Sequence, residues 1–555
     1  MQDPERFPSF KSADSNVQLQ NTNALKPDIN GLEVPQPEIS KRFSLRRWSN
    51  LSSSSSFKVF HSSISRSLSR PSSHFCDLES EEDEEDYGHD LLETLEEGKF
   101  HEGDYKKEEE QAIALPQPIP SKPKRRSRMS IMLLDQGLFT VYKRLFTVCL
   151  TLNLTGLVLA ATGHFEYARN NSVLFSIANI FAAILARNEV FWWVVFWLTV
   201  KVFGWSWVPL RVKTLITSFL QSPGGIHSSC GVSSLAWLIY SLVLTLKHRD
   251  NTSSEIIGVA SAILSLLFIT SLSAFPILRH LHHNVFERVH RFAGWSALAF
   301  LWVFLVLSYS YDPATKSYRN DIGKRLIRRQ EFWFTAVITV LIILPWITTR
   351  RVACDVSAPS NHASLVKFQG GVQPGVLGRI SPSPLSEWHA FGIISDGKSE
   401  HMMLVGAVGD YTKSLVANPP SHLWVRQVHF VGMPYLVNMY DRILLVATGS
   451  GVCVYLSYLL QPCKANWCLL WVGKGLEQNF GKEILDIVKR HPKEKVIVHD
   501  TAVLGRPDVA QMSVDAAKKW KAEVVFVTSN PEGSRDVIRA SKKAGIPAFA
   551  PIWDS

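Results

Sequence analysis

The chain has 555 residues, of which 46% are hydrophobic, and a formal net charge of +10; this length excludes a single hydrophobic core, so several structural units are expected. The seven cysteines lie apart without a CxxC pair, which argues against a zinc site, an iron–sulfur cluster or a disulfide framework. The basic runs lie beside apolar stretches, where anionic lipid explains them better than nucleic acid does, so no nucleic-acid partner is expected.

Residues 1–130 are poor in large apolar side chains and rich in serine and charge. Such a segment cannot bury enough surface to offset its ordering entropy, which predicts a disordered cytosolic tail. Serines that follow arginines, such as Ser49 and Ser69, resemble sites of basophilic kinases, and a tail without a regulatory role is an equal alternative. The tail lacks the apolar stretch of a signal peptide, so the first membrane helix is expected to act as the targeting signal.

Apolar stretches of about bilayer length then recur, at 138–161, 172–187, 190–209, 232–247, 254–276, 291–311 and 332–349. They predict an α-helical transmembrane bundle over 138–350, with lipid as a partner. Basic flanks at 122–128 and 350–351 place both ends of this region in the cytosol by the positive-inside bias, which favours six spans over seven, in the plasma membrane. Either 172–187 or 232–247 is then expected not to cross fully.

Histidines near these stretches are candidate haem ligands, because polar groups in a bilayer are costly and imidazole is the usual axial ligand. The candidates are His227, His283 and His290. Two stacked haems need ligands about 13 residues apart on one helix, and Val303 stands at that distance from His290. A structural, hydrogen-bonded role for these histidines therefore remains open.

The segment from His283 to Trp295 resembles the helix entry of ferric-reductase-like membrane proteins. The likeness is strongest to a fungal and plant group of membrane flavoproteins that also occurs as the C-terminal half of some adenylate-forming reductases. Within this segment Glu287 precedes His290 by three residues and Arg291 by four, so it is expected to orient both on one helical face.

Residues 355–436 alternate short apolar runs with glycine and proline turns, which predicts a small antiparallel β-barrel. Trp388–Ile393 resembles the flavin-binding His-Pro-Phe-Thr element of the ferredoxin-reductase and NADPH-oxidase family, and Gly409–Lys413 resembles its Gly-Asp-Trp-Thr element. The resemblance implies FAD, with one element along the isoalloxazine ring and the other facing the phosphates. The implied contacts are His389, Phe391, Gly392, Gly409, Asp410, Tyr411, Thr412 and Lys413.

Two residues depart from the family pattern in the first element. Gly392 replaces a hydroxyl that reaches the flavin N5 edge, and Ala390 replaces a proline. Loss of the hydroxyl would weaken control of the ring's redox chemistry without forbidding FAD. A barrel that has lost its flavin and merely connects two parts is the alternative.

Residues 437–555 alternate continuous apolar strands with helices, which predicts a parallel sheet covered on both faces. The stretch Leu444–Val452 runs a buried strand into a glycine turn, where backbone N–H groups can meet a pyrophosphate. A dinucleotide is expected at the carboxyl ends of the strands, near the switch in strand order. The candidates there are Thr448, Gly449, Ser450, Gly451, Val452, Lys474, Gly505, Arg506 and Pro507.

By resemblance, Gly505–Asp508 matches the Gly-Arg-Pro-Asn turn of NADPH oxidases and ferric reductases. Arg506 or Lys474 could pair with a 2′-phosphate, favouring NADPH over NADH, and a helix cap or outer ion pair is an equal alternative for Arg506. Thr528–Pro531 stands where the family has Cys-Gly-Pro, so the thiol beside the hydride-transfer site is missing. Trp553 could stack on the flavin.

Two functions remain open from the sequence. In the first, the chain is an NAD(P)H-oxidising membrane flavoenzyme, in which hydride passes to FAD and electrons leave singly to an unknown acceptor. This chemistry requires no side-chain acid or nucleophile, so no catalytic residue is predicted. In the second, the chain is a redox-sensing or signalling membrane protein that keeps nucleotide binding with reduced turnover.

Overall fold

The computed structural model describes residues 141–551, except 276–277, 280–282 and 320–321. The tail over 1–130 and the candidate residue Trp553 lie outside the described residues. The side chain of His283 is also outside the described part, although its backbone begins a helix.

The first part of the described chain is helical. Its helices are α1 (Val141–Ala161), α2 (Glu166–Asn170), α3 (Ser172–Leu185), α4 (Glu189–Phe203), α5 (Leu210–Leu220), α6 (Gly224–Lys247), α7 (Ser254–Ser273), α8 (His283–Ser310), α9 (Ile322–Leu326) and α10 (Gln330–Ile347). A short hairpin of β1 (Tyr311–Asp312) and β2 (Ser317–Tyr318) follows α8.

Among the described residues, α1, α6, α7, α8 and α10 are long and apolar enough to cross a membrane. The pair α3 and α4 passes the same test only together and is bent by 65°. By length and composition, these helices give five spans, or six if the bent pair counts as one, and not seven. The stretch 232–247 was expected to be a candidate too short to cross. It is instead the second part of a 24-residue helix, which starts at Gly224 in a more polar sequence.

The helical part is followed by a curled antiparallel sheet. Its strands are β3 (Thr349–Ala353), β4 (Asp355–Ser360), β5 (Ala363–Gln369), β6 (Val376–Ser381), β7 (His389–Ser395), β8 (Glu400–Gly406), β9 (His422–Arg426) and β10 (Phe430–Val431), with α11 (Asp410–Ala417) before β9. The order is β3-β9-β6-β7-β8-β5-β4, and β10 pairs with β6. Only Cys354 separates the two edge strands along the chain, so one bent strand joins both edges. The predicted antiparallel barrel is confirmed in this form.

The last part is a five-stranded parallel sheet. Its elements are β11 (Arg442–Thr448), α12 (Cys453–Leu460), β12 (Asn466–Gly473), α13 (Leu476–Phe480), α14 (Lys482–Lys489), β13 (Val496–Asp500), α15 (Thr501–Leu504), α16 (Val509–Trp520), β14 (Val524–Thr528), α17 (Pro531–Lys543) and β15 (Ala548–Phe549). The order β13-β12-β11-β14-β15 reverses direction between β11 and β14. The predicted parallel sheet is therefore confirmed, and its switch point lies at these two strands.

A single helix over 476–490 is expected from the sequence, but the structure breaks it into α13 and α14. Gly481 separates the two helices with a φ of +85°, a left-handed conformation that interrupts the helical hydrogen bonds. A Cβ at this position would lie 3.1 Å from Pro359 Cβ, so the break also brings the chain against β4.

The hydrophobic core continues from the barrel into the parallel sheet. In β11, Ile443, Leu445 and Ala447 face the barrel side and join its core, whereas Leu444 and Val446 join a second core on the opposite face. Burial on both faces explains why this strand reads as a continuous apolar run. Phe196 of α4 and Leu220 of α5 also belong to the first core, so these two helices pack against the barrel and the parallel sheet, which together are called the soluble part below.

The buried His401 and the half-buried His429 lie next to each other in the barrel part. His401 Nδ1 lies 2.6 Å from Gly370 O, and its ring packs edge-to-face with the ring of His429 at 5.8 Å. Burial lowers the pKa of both, that of His429 to about 4, with His401 adding to the effect on His429. Both histidines are therefore neutral in the folded barrel at pH 7.

We expect the free energy of unfolding to fall as the pH drops below about 6.5, the ordinary pKa of histidine, toward 4. In this range the two histidines bind protons in the unfolded chain, whereas their lowered pKa keeps them neutral in the folded barrel. The expected loss at pH 5 is about 1–2 kcal/mol for His429. Melting curves of wild type and His429→Gln between pH 7 and 5 measure it, and the variant should show a flatter pH dependence. His362→Gln, at an exposed barrel position, is the control, and identical slopes in all three proteins would contradict the expectation.

Candidate functional site

A cluster of hydroxyl groups lies at the switch point of the parallel sheet. Thr448 ends β11 and Thr528 ends the neighbouring strand β14. Thr448 Oγ1 is 2.8 Å from Ser529 Oγ, and Thr528 Oγ1 donates to Tyr455 Oη at 2.9 Å. In sheets of this kind, ligands bind outside the carboxyl ends of the strands at such a point. Ser529 belongs to the Thr528–Pro531 segment that the sequence places at a strand end, whereas Tyr455 was not identified from the sequence, since it belongs to no recognised element.

The glycine turn follows β11 directly and is held firmly in place. Residues Gly449–Val452 form one turn of 3₁₀ helix that leads into α12. Gly449 has a φ of +53°, and its carbonyl accepts a hydrogen bond from Trp471 Nε1 at 2.9 Å. Ser450, Gly451 and Val452 are buried. Val452 therefore contributes packing, while the turn itself brings backbone N–H groups to the edge, as a pyrophosphate site requires.

Basic residues follow the next two strands at the same edge. Lys474 comes directly after β12 and Arg506 after β13 and α15, and both side chains are exposed. Gly473 and Asp500, the last residues of the two strands, are register partners. Lys474 and Arg506 therefore follow adjacent strand ends, as the sequence predicted.

Asp500 holds the backbone between these basic residues. Its carboxylate accepts hydrogen bonds from the N–H groups of Gly475 at 2.8 Å, Leu476 at 3.0 Å and Ala502 at 2.9 Å. Burial alone would raise the pKa of Asp500, but these hydrogen bonds outweigh it and lower the pKa. The carboxylate is thus charged at neutral pH and engaged in structure.

The turn before α16 is fixed in the same way. Gly505 has a φ of +73°, and its carbonyl is 2.9 Å from His499 Nε2. Pro507 follows Arg506 and is half-buried. Asp508 caps α16 by accepting from the N–H of Gln511 at 3.0 Å. The helix cap at this turn is therefore Asp508 and not Arg506.

The two flavin-like elements of the barrel come together. The rings of His389 and Tyr411 stack with centroids 4.6 Å apart and an interplanar angle of 19°. Within the described residues, the buried Tyr411 hydroxyl has no hydrogen-bond partner. Burial raises the pKa of Tyr411, so the phenol is a neutral donor. An orphaned donor at this place fits a polar ligand group such as a phosphate oxygen.

The helix α11 begins beside this stack. Gly409 precedes it, and Asp410 is its first residue. Thr412 Oγ1 accepts from the N–H groups of Val408 and Gly409, which rigidifies the turn. Lys413 is exposed. The first turn of a helix leaves N–H groups without intrahelical acceptors, so this end suits an anion.

The remaining residues of the first element face protein. Phe391 is 1% exposed and packs in the barrel core. A Cβ added at Gly392 would lie 2.7 Å from Val454 Cγ1 and 2.9 Å from Val454 N and Cα. The strand β7 is therefore in close contact with α12 where the family hydroxyl would stand.

A polar stripe on α12 continues this contact along β7. Ser457 Oγ donates to Ile393 O at 2.7 Å and accepts from Ser395 N at 3.0 Å. Gln461 Nε2 donates to Ser395 O and to Val372 O, each at 2.8 Å. These residues were missed from the sequence, although Ser457 and Gln461 stand four apart beside an otherwise apolar helix, the spacing of one helical face.

Two of the three candidate haem ligands meet at one end of the helical part. The ring centroids of His227 and His290 are 6.2 Å apart. Their Nδ1 atoms lie 2.8 Å from Ala183 O and 3.3 Å from Thr270 O, respectively. Imidazoles ligating one metal from opposite sides place their centroids about 6 Å apart, since each metal–nitrogen bond is about 2 Å. A carbonyl on Nδ1 is also the usual way to leave Nε2 for a metal.

The predicted role of Glu287 is seen in part. Glu287 forms an ion pair with Arg291, and Arg291 Nη1 donates to Leu385 O at 3.0 Å and Ser386 O at 3.2 Å. The pair thus connects α8 to the loop before β7.

Within the described residues, no group of three or more histidine, cysteine or acidic side chains could hold a metal ion.

Comparison with known proteins supports part of the resemblance. Residues 433–555 match the family described as adenylate-forming reductase 03009, C-terminal domain. Adenylate-forming reductase 03009 of Coprinopsis cinerea is 34% identical over 431 residues, which cover 76% of this chain and 41% of the relative. Adenylate-forming reductase 06235 of the same fungus is 32% identical over 430 residues, with the same coverage. The chain thus spans about two fifths of the length of these relatives.

Solved structures share less with the chain. The ferredoxin reductase in carbazole 1,9a-dioxygenase is 12% identical with a TM-score of 0.29, covering 37% of this chain and 69% of that one. The ferredoxin-NADP+ reductase from Plasmodium falciparum is 11% identical with a TM-score of 0.28, covering 37% and 95%. The predicted likeness to adenylate-forming reductases is confirmed, while kinship with ferric reductases and NADPH oxidases stays a prediction.

Proposed function

We propose that the chain is a membrane-embedded NAD(P)H-dependent flavin oxidoreductase that passes electrons to an acceptor still to be identified. The observation that carries this proposal is the carboxyl edge of the parallel sheet, where a glycine turn and a hydroxyl cluster lie at the switch point and basic residues follow the ends of the next two strands. The curated relatives are named reductases, which supports the same class of activity.

The proposal assigns a separate role to each part of the site. The glycine turn Gly449–Val452 binds the nucleotide pyrophosphate, and Lys474 and Arg506 bind the 2′-phosphate of NADPH. The turn Gly409–Lys413 holds the phosphate end of FAD, where the Tyr411 hydroxyl would donate to a phosphate oxygen. Because His389 stacks on Tyr411, the proposal places His389 at this end as well, and not along the isoalloxazine ring as the resemblance implied. FAD supplies the conversion of a hydride into single electrons.

In the proposal, the helical part anchors the oxidoreductase in the plasma membrane. Six crossings, by α1, α6, α7, α8, α10 and the shorter α3 of 14 residues, would keep the barrel and the parallel sheet on the same side as the start of the described chain, the cytosol. His227 and His290 would hold a haem at the cytosolic end of the bundle, and a haem supplies one-electron transfer.

A redox-sensing role without turnover is the second candidate, and the contact at Gly392 favours it. Val454 lies against the backbone where related flavoproteins carry a hydroxyl next to the ring. A protein locked in this arrangement would bind nucleotide and transmit its presence through α12 without oxidising it.

The visible absorption spectrum of the purified full chain tests both candidates. The oxidoreductase is expected to show flavin absorption bands that bleach when NADPH is added. A Soret band that is present in the wild type and lost in His290→Ala would show that haem is bound as well. A colourless protein that still binds NADPH would overturn the oxidoreductase and support the sensor.

Arg506→Ala is expected to weaken NADPH binding about tenfold, the loss of one charge-assisted hydrogen bond, and NADH binding by less than twofold. Lys474→Ala should act in the same direction. Calorimetric titration of both nucleotides measures the effect. Arg539→Ala is the matched control, because Arg539 lies two turns into α17 and pairs with Asp536. Equal losses for NADPH and NADH would contradict a 2′-phosphate contact.

A further inference from the structure

We propose that residues 189–220, here called the platform segment, lie flat on the bilayer with one face in the lipid headgroup region and the other carrying the soluble part. The platform segment comprises α4, the linker 204–209 and α5. The inference rests on the membrane embedding in the proposed function and not on its redox chemistry. It replaces the predicted span at 190–209.

The platform segment begins and ends at one end of the helical bundle. Ala183 O, in the last turn of α3, is 2.8 Å from His227 Nδ1, in the first turn of α6. Ser228 Oγ in α6 is in turn 2.9 Å from the hydroxyl of Tyr142 at the start of α1. Because the chain leaves α3 and enters α6 at the same level, the segment between them makes no net crossing.

The inclination of α4 is too large for a span. The helix has 15 residues and is inclined by 65° to α3. At 1.5 Å per residue it advances only about 10 Å along the direction of α3, whereas a hydrocarbon core is roughly 30 Å thick. Helix α4 therefore runs mostly across the direction of the bundle.

One face of the platform segment is bonded to the soluble part. Thr217 Oγ1 is 2.8 Å from the Tyr440 hydroxyl, and Ser206 Oγ donates to Asp441 Oδ1 at 3.0 Å. Phe196 packs in the core shared with the barrel and the parallel sheet. Polar contacts of this kind to a soluble domain hold the segment at the surface of the membrane.

The opposite face is apolar, rich in tryptophan and exposed. Trp207 is 78% exposed and Leu215 is 69% exposed. Other exposed apolar side chains of the platform segment include Val194, Trp197, Leu198, Val202 and Phe219. Indole rings are enriched at membrane interfaces, and amphipathic helices bury such a face about 5–10 Å into the headgroup boundary.

The charge of the platform segment matches the same partner. Lys201 lies 4.9 Å over the ring of Trp197, and Arg211 is exposed. The sequence has no aspartate or glutamate from 190 to 249. A basic, apolar face that also carries tryptophan has the composition of segments that bind at the headgroup level of anionic bilayers.

Depth-dependent quenching of a fluorescent amino acid tests the inference. The probe is introduced genetically at Trp207 or Leu215 of the full chain, which is reconstituted in vesicles of neutral and anionic phospholipid. The vesicles carry nitroxide lipids labelled either at the headgroup or at mid-chain. Val340, exposed in the middle of α10, and Val503, exposed on α15, are the matched control positions.

Probes at Trp207 and Leu215 are expected to be quenched several-fold more by headgroup than by mid-chain nitroxides. The probe at Val340 should show the reverse, and the probe at Val503 should respond to neither. Stronger mid-chain quenching at Trp207 or Leu215 would overturn the inference in favour of a span, and no quenching would indicate water or a protein partner. Absence of quenching at Val340 would show that α10 does not lie in the bilayer, and would overturn the membrane embedding on which the inference rests. The pattern does not depend on flavin bleaching, so the redox proposal can fail separately.

Discussion

Replacing Glu189 by Gln is expected to lower the free energy of unfolding by up to about 3–5 kcal/mol, because it leaves two half-buried guanidinium groups, 28% and 18% exposed, without their counterion. Glu189 Oε1 lies 2.5 Å from Arg379 Nε and 3.3 Å from Arg426 Nη1, and its side chain is 15% exposed. Both arginines also lie over aromatic rings, so neither can turn to water without losing packing. The melting temperature of the full chain in detergent, with and without denaturant, measures the loss.

Glu477→Gln provides the control for this experiment. Glu477 pairs with Lys489 at 3.8 Å with both side chains largely exposed, and removing such a pair changes stability by about 0.5 kcal/mol or less. The Glu189 effect should also persist at high salt, since buried pairs are poorly screened. Equal melting temperatures for the two variants would refute the buried ion cluster.

Gly392→Ala is expected to destabilise the contact between barrel and parallel sheet by about 2–3 kcal/mol through overpacking. The added methyl group would lie 2.9 Å from Val454 N and Cα, and backbone atoms cannot turn aside as a side chain can. For the same reason, shortening Val454 to Ala should not restore stability. The measurement is the midpoint of denaturation of the single and double variants.

Gly432→Ala makes the same chemical change where room exists. A Cβ there would meet Leu377 Cδ1 at 3.4 Å, an ordinary contact, and the φ of Gly432 is negative. This variant should differ little from wild type. A Gly392→Ala protein as stable as Gly432→Ala would show that β7 and α12 can separate, and would remove the observation that favours the sensor.

Local patterns were enough to predict the sheets. The continuous apolar runs of β11 and β14 and the turns between short barrel strands reflect burial on two faces, which depends on near neighbours in sequence. The glycine turn was also recognisable, because strand, turn and helix follow each other directly. The start of α6 was not, because His227 and the serines around it dilute the apolar pattern that continues after them.

Contacts between distant segments could not be predicted from local patterns. Glu189 meets Arg379 across 190 residues and Arg426 across 237 residues, so no local pattern contains the pair. The position of α4 could not be predicted either, because a helix in lipid and a helix docked on a protein domain can have the same apolar composition. From the sequence, Gly392 is interpreted only as the loss of a hydroxyl. The structure adds that a Cβ at this position would lie too close to Val454, so the packing requires glycine.

The attachment of the platform segment has a consequence for how substrate reaches the protein. Tyr440 and Asp441, which it contacts, come just before β11, so the platform segment lies at the amino edge of the parallel sheet, and this edge would face the bilayer in the proposed arrangement. The seven residues of β11 place the opposite edge about 20 Å further away, at roughly 3.3 Å per residue. In the proposed arrangement, the edge that would bind the nucleotide faces away from the bilayer, so a negatively charged coenzyme would reach it without approaching an anionic leaflet that would repel it.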